Sequence, residues 1–196
     1  NKIAVLPGDG IGEEVMVEAL RVLDAVASKF NRTFAYKRAL VGGAAFDVYG
    51  VHFPDETKNI CAESDAILFG SVGGPVAEQH LPKWKTCERD ALLGIRKAFR
   101  LNANFRPVSV LPELKGLSPL RAEIVARGVD MLFVRELNGD IYFGEHRTFE
   151  QDGMRVATDV AQYTEEQISS VAHTAFQAAR KRRRKVTSVD KANVLD

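Results

Sequence analysis

Cysteine is scarce in this sequence, with only Cys61 and Cys87 among 196 residues. Two cysteines do not make the disulfide framework of a small secreted domain or a metal-binding knuckle. The four histidines are dispersed without metal-ligand spacing: His52, His80, His146 and His173. We therefore expect a reducing, cytoplasmic location.

Long apolar runs and an excess of charge of one sign are also missing. No apolar run is long enough to span a bilayer, and 27 basic against 26 acidic residues leave a net charge of only +1. We therefore expect no membrane and no nucleic-acid partner. The chain begins at Asn1 with a strand-like run, which is unlike a signal or transit peptide. Its 196 residues are enough for one ample domain or two small ones, and its 45% hydrophobic content is enough to form a core.

Short apolar runs alternate with amphipathic segments along the chain. Residues 3–6 are predicted to form a buried strand and residues 13–30 a helix, because the apolar residues there recur at helical spacing. Further strands are predicted near residues 33–39, 66–69, 108–111, 131–134 and 185–189, and further helices near residues 55–64, 88–100 and 120–127. Thr164 and Gln167 form a capping box that begins a long last helix. The alternation predicts an α/β fold with a largely parallel sheet flanked by helices.

A glycine-rich turn, Gly8 to Gly12, lies between the first strand and the first helix, where dinucleotide-binding loops lie. Its spacing does not match G-x-G-x-x-G, because the third glycine arrives one residue early. The second strand also ends at Arg38 rather than at the acidic residue that would bind a ribose. We therefore do not interpret this turn as a standard Rossmann phosphate site.

Three arginines stand near predicted strand ends or on a helix: Arg96, Arg106 and Arg135. Ligands bind at strand ends in parallel α/β sheets, and a guanidinium grips a carboxylate through two parallel hydrogen bonds. Three such groups converging would suit a small dicarboxylic acid. Three separate surface salt bridges are the alternative that spacing alone leaves open.

Two further polar residues lie in apolar settings, Tyr142 in an Ile-Tyr-Phe run and Lys191 at the end of the last predicted strand. A lysine in a cleft can serve as a base, and a phenol can give a proton to a developing carbanion. A packed tyrosine and an exposed lysine are the commoner case for isolated examples.

Six strings of the sequence, taken together, resemble the β-decarboxylating dehydrogenases, which are the isocitrate/isopropylmalate dehydrogenase family. They occur here in the same order as in that family: LPGDGIG, FGSVGGP, LLGIRKAFRLNANFRP, LFVREL, GDIYFGE and VDKANVLD. The resemblance runs from residue 3 to 196 and is closest to the leucine-pathway branch, whose substrate is 3-isopropylmalate. It implies a two-lobed fold, with residues 1–101 in the cofactor-side lobe and residues 102–196 in the dimerisation and substrate lobe. We expect this fold to be incomplete at the C-terminus.

The resemblance also implies site residues. The substrate-binding set is Arg96, Arg106, Arg135, Leu92, Leu93, Asn193 and Val194, and the cofactor-binding set is Ile11, Gly73, Gly74, Pro75 and Glu88. The arginines are implied to hold the malate carboxylates and the two leucines to touch the isopropyl group. Lys191 is implied to take the hydroxyl proton as hydride leaves for NAD, and Tyr142 to supply or relay a proton to the enolate.

The resemblance also implies a metal site and a second subunit. The aspartates that hold Mg²⁺ or Mn²⁺, and the loop that grips the adenosine of NAD, are implied to lie beyond Asp196. We expect a homodimer in which residues 139–163 form an arm that clasps the partner. Lys191, Asn193 and Val194 are implied to serve the partner's site as well.

Three alternatives stay open. An inactive fragment or non-catalytic subunit of the same fold would explain the chain end at Asp196, and the 196 residues alone are expected to be inactive. Isocitrate, tartrate or another alkylmalate could be the substrate, although Leu92 and Leu93 offer aliphatic surface rather than a hydroxyl. The basic run at residues 180–185 could bind nucleic acid, but cations at a helix C-terminus are also favoured by its dipole.

Overall fold

The computed structural model describes residues 1–194. The chain divides between Arg100 and Leu101 into two units. The assignment of residues 1–101 and 102–196 to a cofactor-side and a dimerisation lobe stays a prediction. In the described part of the chain, no helix combines the length and apolar character needed to cross a membrane.

The first unit contains a three-stranded parallel sheet in the order β2–β1–β3, formed by β1 (Lys2–Gly8), β2 (Ala35–Arg38) and β3 (Ala66–Ser71). The apolar side chains of β1 alternate between the two faces of the sheet, as the period of a strand requires. Val5 packs with Met16 of α1 (Gly12–Lys29) on one face. Leu6 packs with Ile60 and Ile95 on the other. β1 is therefore the buried centre of this unit.

The remaining helices of the first unit are short: α2 (Gly43–Tyr49), α3 (Asp55–Ala62), α4 (Pro82–Lys85) and α5 (Gly94–Ala98), with a 3₁₀ turn at Val76–Glu78. Directly before α5 the chain makes a π-helical turn, Arg89–Leu93. The sequence predicts a helix over residues 88–100, and the structure is helical there as far as Ala98, with the π-helical turn inside the helix.

The second unit contains two antiparallel ladders. β4 (Ala103–Ser109) pairs with β5 (Asp130–Glu136), and β6 (His146–Gln151) pairs with β7 (Met154–Asp159). The helices are α6 (Ala122–Ala126) and α7 (Glu165–Arg180), which packs against β5, and a 3₁₀ segment spans Pro112–Leu117. The α/β class is confirmed; the parallel sheet lies in the first unit.

The prediction of a last strand at residues 185–189 is wrong, because the structure has no strand there. A strand needs a neighbour for its backbone hydrogen bonds, and among the described residues the β4–β5 and β6–β7 ladders take no further strand. The basic run before this segment has a partner instead. Arg182 lies 2.6 Å from the Asp130 carboxylate, and Arg183 donates to the Asp130 carbonyl oxygen.

The predicted capping box at the start of α7 is confirmed. The Gln167 N–H donates to Thr164 Oγ1 at 3.3 Å, and the Thr164 N–H donates to Gln167 Oε1 at 2.8 Å. We expect Thr164→Ala to lower the free energy of unfolding by about 1 kcal/mol, since an orphan amide of the first turn loses its acceptor. Urea unfolding followed by circular dichroism measures this. Ser169→Ala on the exposed side of α7 is the control, and an equal loss there would contradict a capping effect.

Candidate functional site

The carboxyl ends of β1 and β3 meet at one edge of the first unit. The Asp9 N–H donates to the Ser71 carbonyl oxygen at 2.7 Å, and Ser71 Oγ donates back to the Asp9 carbonyl oxygen at 2.9 Å. Gly8 has a φ of +79°, and a Cβ there would lie 1.8 Å from the Ser71 oxygen. Only glycine allows this approach, so the loops after β1 and β3 form the edge where parallel α/β sheets bind ligands.

The structure brings most of the predicted cofactor residues to this edge. Ile11 precedes α1 and is 58% exposed. Gly73 has a φ of +124°, and a Cβ on it would lie 3.4 Å from Glu88 Oε1, so the loop and the Glu88 carboxylate are adjacent. Gly74 packs directly against the Trp84 ring, and Pro75 follows it exposed to solvent. An exposed apolar side chain, bare glycine backbone and a carboxylate are groups that could bind a dinucleotide.

A buried carboxylate that sequence reasoning missed lies beneath these loops. Asp9 is 7% exposed and accepts hydrogen bonds from backbone amides of two other segments. Burial, and next the Asp9 charge, raise the pKa of the neighbouring Cys87 thiol to about 11. Cys87 is therefore a neutral thiol that donates to Asp9. The signal in the sequence was an acidic residue placed directly after β1, a strand whose residues 3–7 are all apolar.

The π-helical turn presents the predicted substrate residues of the first unit. Leu92 and Leu93 lie in the turn and Arg96 in α5, and all three are half-buried. Ala91 and Ile95 anchor the segment in the core. A π turn offsets the following helix face, and such turns are frequent at functional sites.

A polar cluster ties this turn to the rest of the first unit. Thr86 Oγ1 donates to Asp90 Oδ2 at 2.5 Å, and the buried His52 ring has Nδ1 3.5 Å from the same oxygen. Burial alone would raise the pKa of Asp90. The hydrogen bonds from Thr86 and Arg89 outweigh it, so the pKa is lowered and the carboxylate stays charged.

Two of the three predicted arginines share one face of the second unit. The ladder register pairs Asn104 with Arg135 and Arg106 with Phe133. Because side chains alternate along a strand, Arg106 and Arg135 project from the same face as diagonal neighbours. Arg106 Nε donates to Asn104 Oδ1 at 2.6 Å, so its guanidinium is held on this face.

Tyr142 joins the same group. The Arg135 guanidinium carbon lies 5.5 Å from the centre of the Tyr142 ring, within the range of a cation–π contact. The turn before Tyr142 is fixed by Glu136, whose carboxylate accepts the N–H groups of Asn138 at 2.6 Å and Gly139 at 2.9 Å. Tyr142 remains 49% exposed, so its hydroxyl can reach a ligand.

The other predicted residues of the second unit lie in an exposed turn: Lys191, Asn193 and Val194. The Ala192 N–H donates to Asp190 Oδ1, and the Val194 N–H donates to the Lys191 carbonyl oxygen, each at 3.0 Å. Within residues 1–194 the Lys191 side-chain nitrogen has no hydrogen bond or ion pair. The structure does not join it to Arg135 or Tyr142 by such a contact.

No metal site is formed by the part of the chain that the structure describes, since no three His, Cys, Asp or Glu side chains converge there. The predicted ligands lie beyond Asp196, which is itself outside the described residues.

Comparison with known proteins places these observations in one family. A family model described as isocitrate/isopropylmalate dehydrogenase matches residues 2–196. Proteins named 3-isopropylmalate dehydrogenase from Geobacter sulfurreducens and Clostridium acetobutylicum are 53% and 50% identical over 195 residues. The alignments cover 99% and 100% of this chain and 54% of each relative. The chain therefore spans about half the length of the curated relatives it matches.

Solved structures agree on the fold. A β-decarboxylating dehydrogenase from Thermococcus kodakarensis matches 99% of this chain and half of its own with a TM-score of 0.70 at 32% identity. An isocitrate dehydrogenase from Methylococcus capsulatus matches 94% of this chain and 49% of its own with a TM-score of 0.70. At 24% identity the second shows a shared fold alone.

Proposed function

Because the chain belongs to the isocitrate/isopropylmalate dehydrogenase family, we propose that its protein oxidises and decarboxylates 3-isopropylmalate to 4-methyl-2-oxopentanoate with NAD, a step of leucine biosynthesis. The observation that carries the proposal is the shared face of Arg106 and Arg135, with Tyr142 against the second guanidinium. Two adjacent guanidinium groups suit the two carboxylates of a small diacid, and the phenol beside them can give a proton to the enolate that the reaction forms.

Substrate binding follows from charge and shape. Arg106 and Arg135 bind carboxylate oxygens through paired hydrogen bonds, and Arg96 is the third proposed carboxylate-binding residue. Leu92 and Leu93 contact the isopropyl group, since an aliphatic surface favours an alkyl substituent over a third carboxylate. Asn193 and Val194 complete the substrate contacts.

Proton transfer is assigned to two residues. Lys191 accepts the proton from the substrate hydroxyl while C2 is oxidised to a ketone, and Tyr142 gives or relays a proton to the enolate carbon left after loss of CO₂. When bound, NAD accepts the hydride that leaves C2. The nicotinamide half of NAD is held by five residues of the first unit: Ile11, Gly73, Gly74, Pro75 and Glu88. The adjacency of Gly73 and Glu88 supports this placement.

The other components are proposed from the family alone. We propose Mg²⁺ or Mn²⁺ as the metal, although the described residues do not form a site for it. We propose a homodimer in which the β6–β7 hairpin belongs to the clasping arm at residues 139–163. Two buried, unpaired thiols among the described residues agree with a cytoplasmic location.

A substrate comparison tests the proposed function directly. The protein expressed from its complete coding sequence is assayed for NADH formation with 3-isopropylmalate, isocitrate and tartrate, with Mg²⁺ and Mn²⁺ each supplied. We expect kcat/KM to be highest with 3-isopropylmalate. A preference for isocitrate or tartrate would replace the substrate assignment, and no NADH with any of them would support a non-catalytic subunit.

Truncation of a leucine tests the alkyl pocket. We expect Leu92→Ala to lower kcat/KM for 3-isopropylmalate by roughly tenfold relative to malate, because each lost methyl or methylene contact is worth about 1 kcal/mol or more. Val48→Ala, at an exposed position of α2, is the control. An unchanged ratio between the two substrates would place the isopropyl group elsewhere.

A further inference from the structure

The Asp9 carboxylate is a junction between four segments of the first unit. Its Oδ2 accepts the N–H of Gly43 at 2.8 Å and that of Gly73 at 3.1 Å, and its Oδ1 accepts the N–H of Ala44 at 2.8 Å. Cys87 Sγ lies 3.7 Å from Oδ2 as a fourth donor. One side chain thus joins the loop after β1, the start of α2, the loop after β3 and the segment that begins at Cys87.

The chain packs closely around this carboxylate on the side of Gly42. A Cβ on Gly42 would lie 2.3 Å from Asp9 Oδ2, so the oxygen occupies space that any side chain at residue 42 would fill. A buried carboxylate is stable when several donors satisfy it. Removing its charge or one oxygen leaves at least one buried amide without an acceptor, which costs more than an exposed hydrogen bond would.

Two of the four donors lead to the proposed cofactor residues. Gly73 donates its own N–H and holds a φ of +124°, a conformation that needs external restraint because glycine has many alternatives. Cys87 directly precedes Glu88, whose carboxylate lies beside Gly73. Asp9 therefore restrains both sides of the contact between residues 72–75 and Glu88.

We propose that Asp9 is a positioning residue for the nucleotide, one that holds Gly73 and Glu88 in the arrangement that binds the nicotinamide half of NAD. The assignment rests on the proposed function, since it takes those residues as cofactor contacts. Asp9 itself contacts neither substrate nor reacting atoms. Its removal loosens the loop and weakens NAD binding, while the arginines and Lys191 keep their chemistry.

The substitution Asp9→Asn tests the assignment because asparagine keeps the shape of the aspartate side chain. Its NH₂ group replaces one carboxylate oxygen, so a donor faces backbone N–H groups that need an acceptor. In the protein expressed from its complete coding sequence, we expect KM for NAD to rise at least tenfold. KM for 3-isopropylmalate should stay within twofold and kcat at saturation within threefold. Amide hydrogen exchange of peptides covering residues 42–44 and 72–75 should become faster, and that of the β6–β7 hairpin should not change.

Thr57→Val is the matched control. Thr57 is also buried in the first unit and donates to the Leu40 carbonyl oxygen at 2.7 Å, a hydrogen bond that includes neither Asp9 nor any of its four donors. We expect it to lower thermal stability without changing KM for NAD. If it raises KM for NAD as much as Asp9→Asn does, the effect is general loss of stability and the assignment is overturned.

A milder pair of variants keeps the test decisive if Asp9→Asn does not fold. Cys87→Ala removes one donor to Asp9 and should raise KM for NAD about threefold, whereas Cys87→Ser retains a donor and should not. Faster exchange at residues 72–75 with an unchanged KM for NAD would overturn the assignment. Absence of NADH formation in the unsubstituted protein would instead reject the proposed function, and the exchange data would still show whether Asp9 holds the loop.

Discussion

Lys191→Ala is expected to lower kcat for 3-isopropylmalate by about 10²–10⁴-fold, the usual loss when a general base is removed. The methyl group of alanine cannot accept a proton, so the C2 hydroxyl of the substrate loses its base as C2 is oxidised to a ketone. Substrate affinity should change less than kcat, because the proposed carboxylate contacts are made by the arginines. Steady-state kinetics at saturating NAD and direct titration of the substrate separate the two quantities.

Two controls distinguish proton transfer from charge. Lys191→Arg keeps a positive charge, but an arginine does not deprotonate in a protein, so it should be as inactive as the alanine variant. Lys185→Ala, an exposed lysine six residues earlier, should keep normal turnover. Normal turnover in Lys191→Ala would reject the assigned base, and an active Lys191→Arg would reduce its role to electrostatics.

Arg135→Ala is expected to give the second large effect. Losing one member of a carboxylate–guanidinium pair costs about 2–5 kcal/mol, which corresponds to roughly 30-fold to several-thousand-fold in kcat/KM. The effect should exceed that of any other single arginine in the second unit, because Arg135 packs against Tyr142 and is also proposed to bind the diacid. Titration of 3-isopropylmalate and measurement of kcat/KM test this.

A matched arginine exists in the same unit. Arg147 also stacks on an aromatic ring, with its guanidinium carbon 4.6 Å from the centre of Phe149, but it lies on the β6–β7 hairpin. Arg147→Ala should change kcat/KM less than threefold. Arg135→Lys should recover part of the affinity, since a lysine supplies charge without the two-pronged geometry. Equal losses at the two arginines would mean that Arg135 does not contact the substrate.

Much of the local structure was predictable from the sequence. The apolar run before Pro7 is short and is stopped by Pro7 and Gly8, which predicts a buried strand. Gly8 and Gly12 are needed where two loops come close. The capping box at Thr164 depends on residues three apart, so its geometry follows from the helix itself. The positions of Arg106 and Arg135 near predicted strands already suggested a shared carboxylate site.

Other features could not be predicted because they depend on distant parts of the chain. The role of Asp9 needs amides 34 and 64 residues away. The π turn at Arg89–Leu93 looks like ordinary helix in the sequence, and no residue type marks it. Residues 185–189 have the composition of a strand, but a strand also needs a partner that the sequence pattern does not reveal.

The shared binding of one diacid by three arginines is tested most directly by a crystal structure of the protein with 3-isopropylmalate bound. We expect guanidinium nitrogens of Arg96, Arg106 and Arg135 to lie about 2.7–2.9 Å from the substrate carboxylate oxygens. The Lys191 amine should lie within hydrogen-bond reach of the C2 hydroxyl. A diacid bound without these arginines, or with their side chains directed elsewhere, would contradict the account.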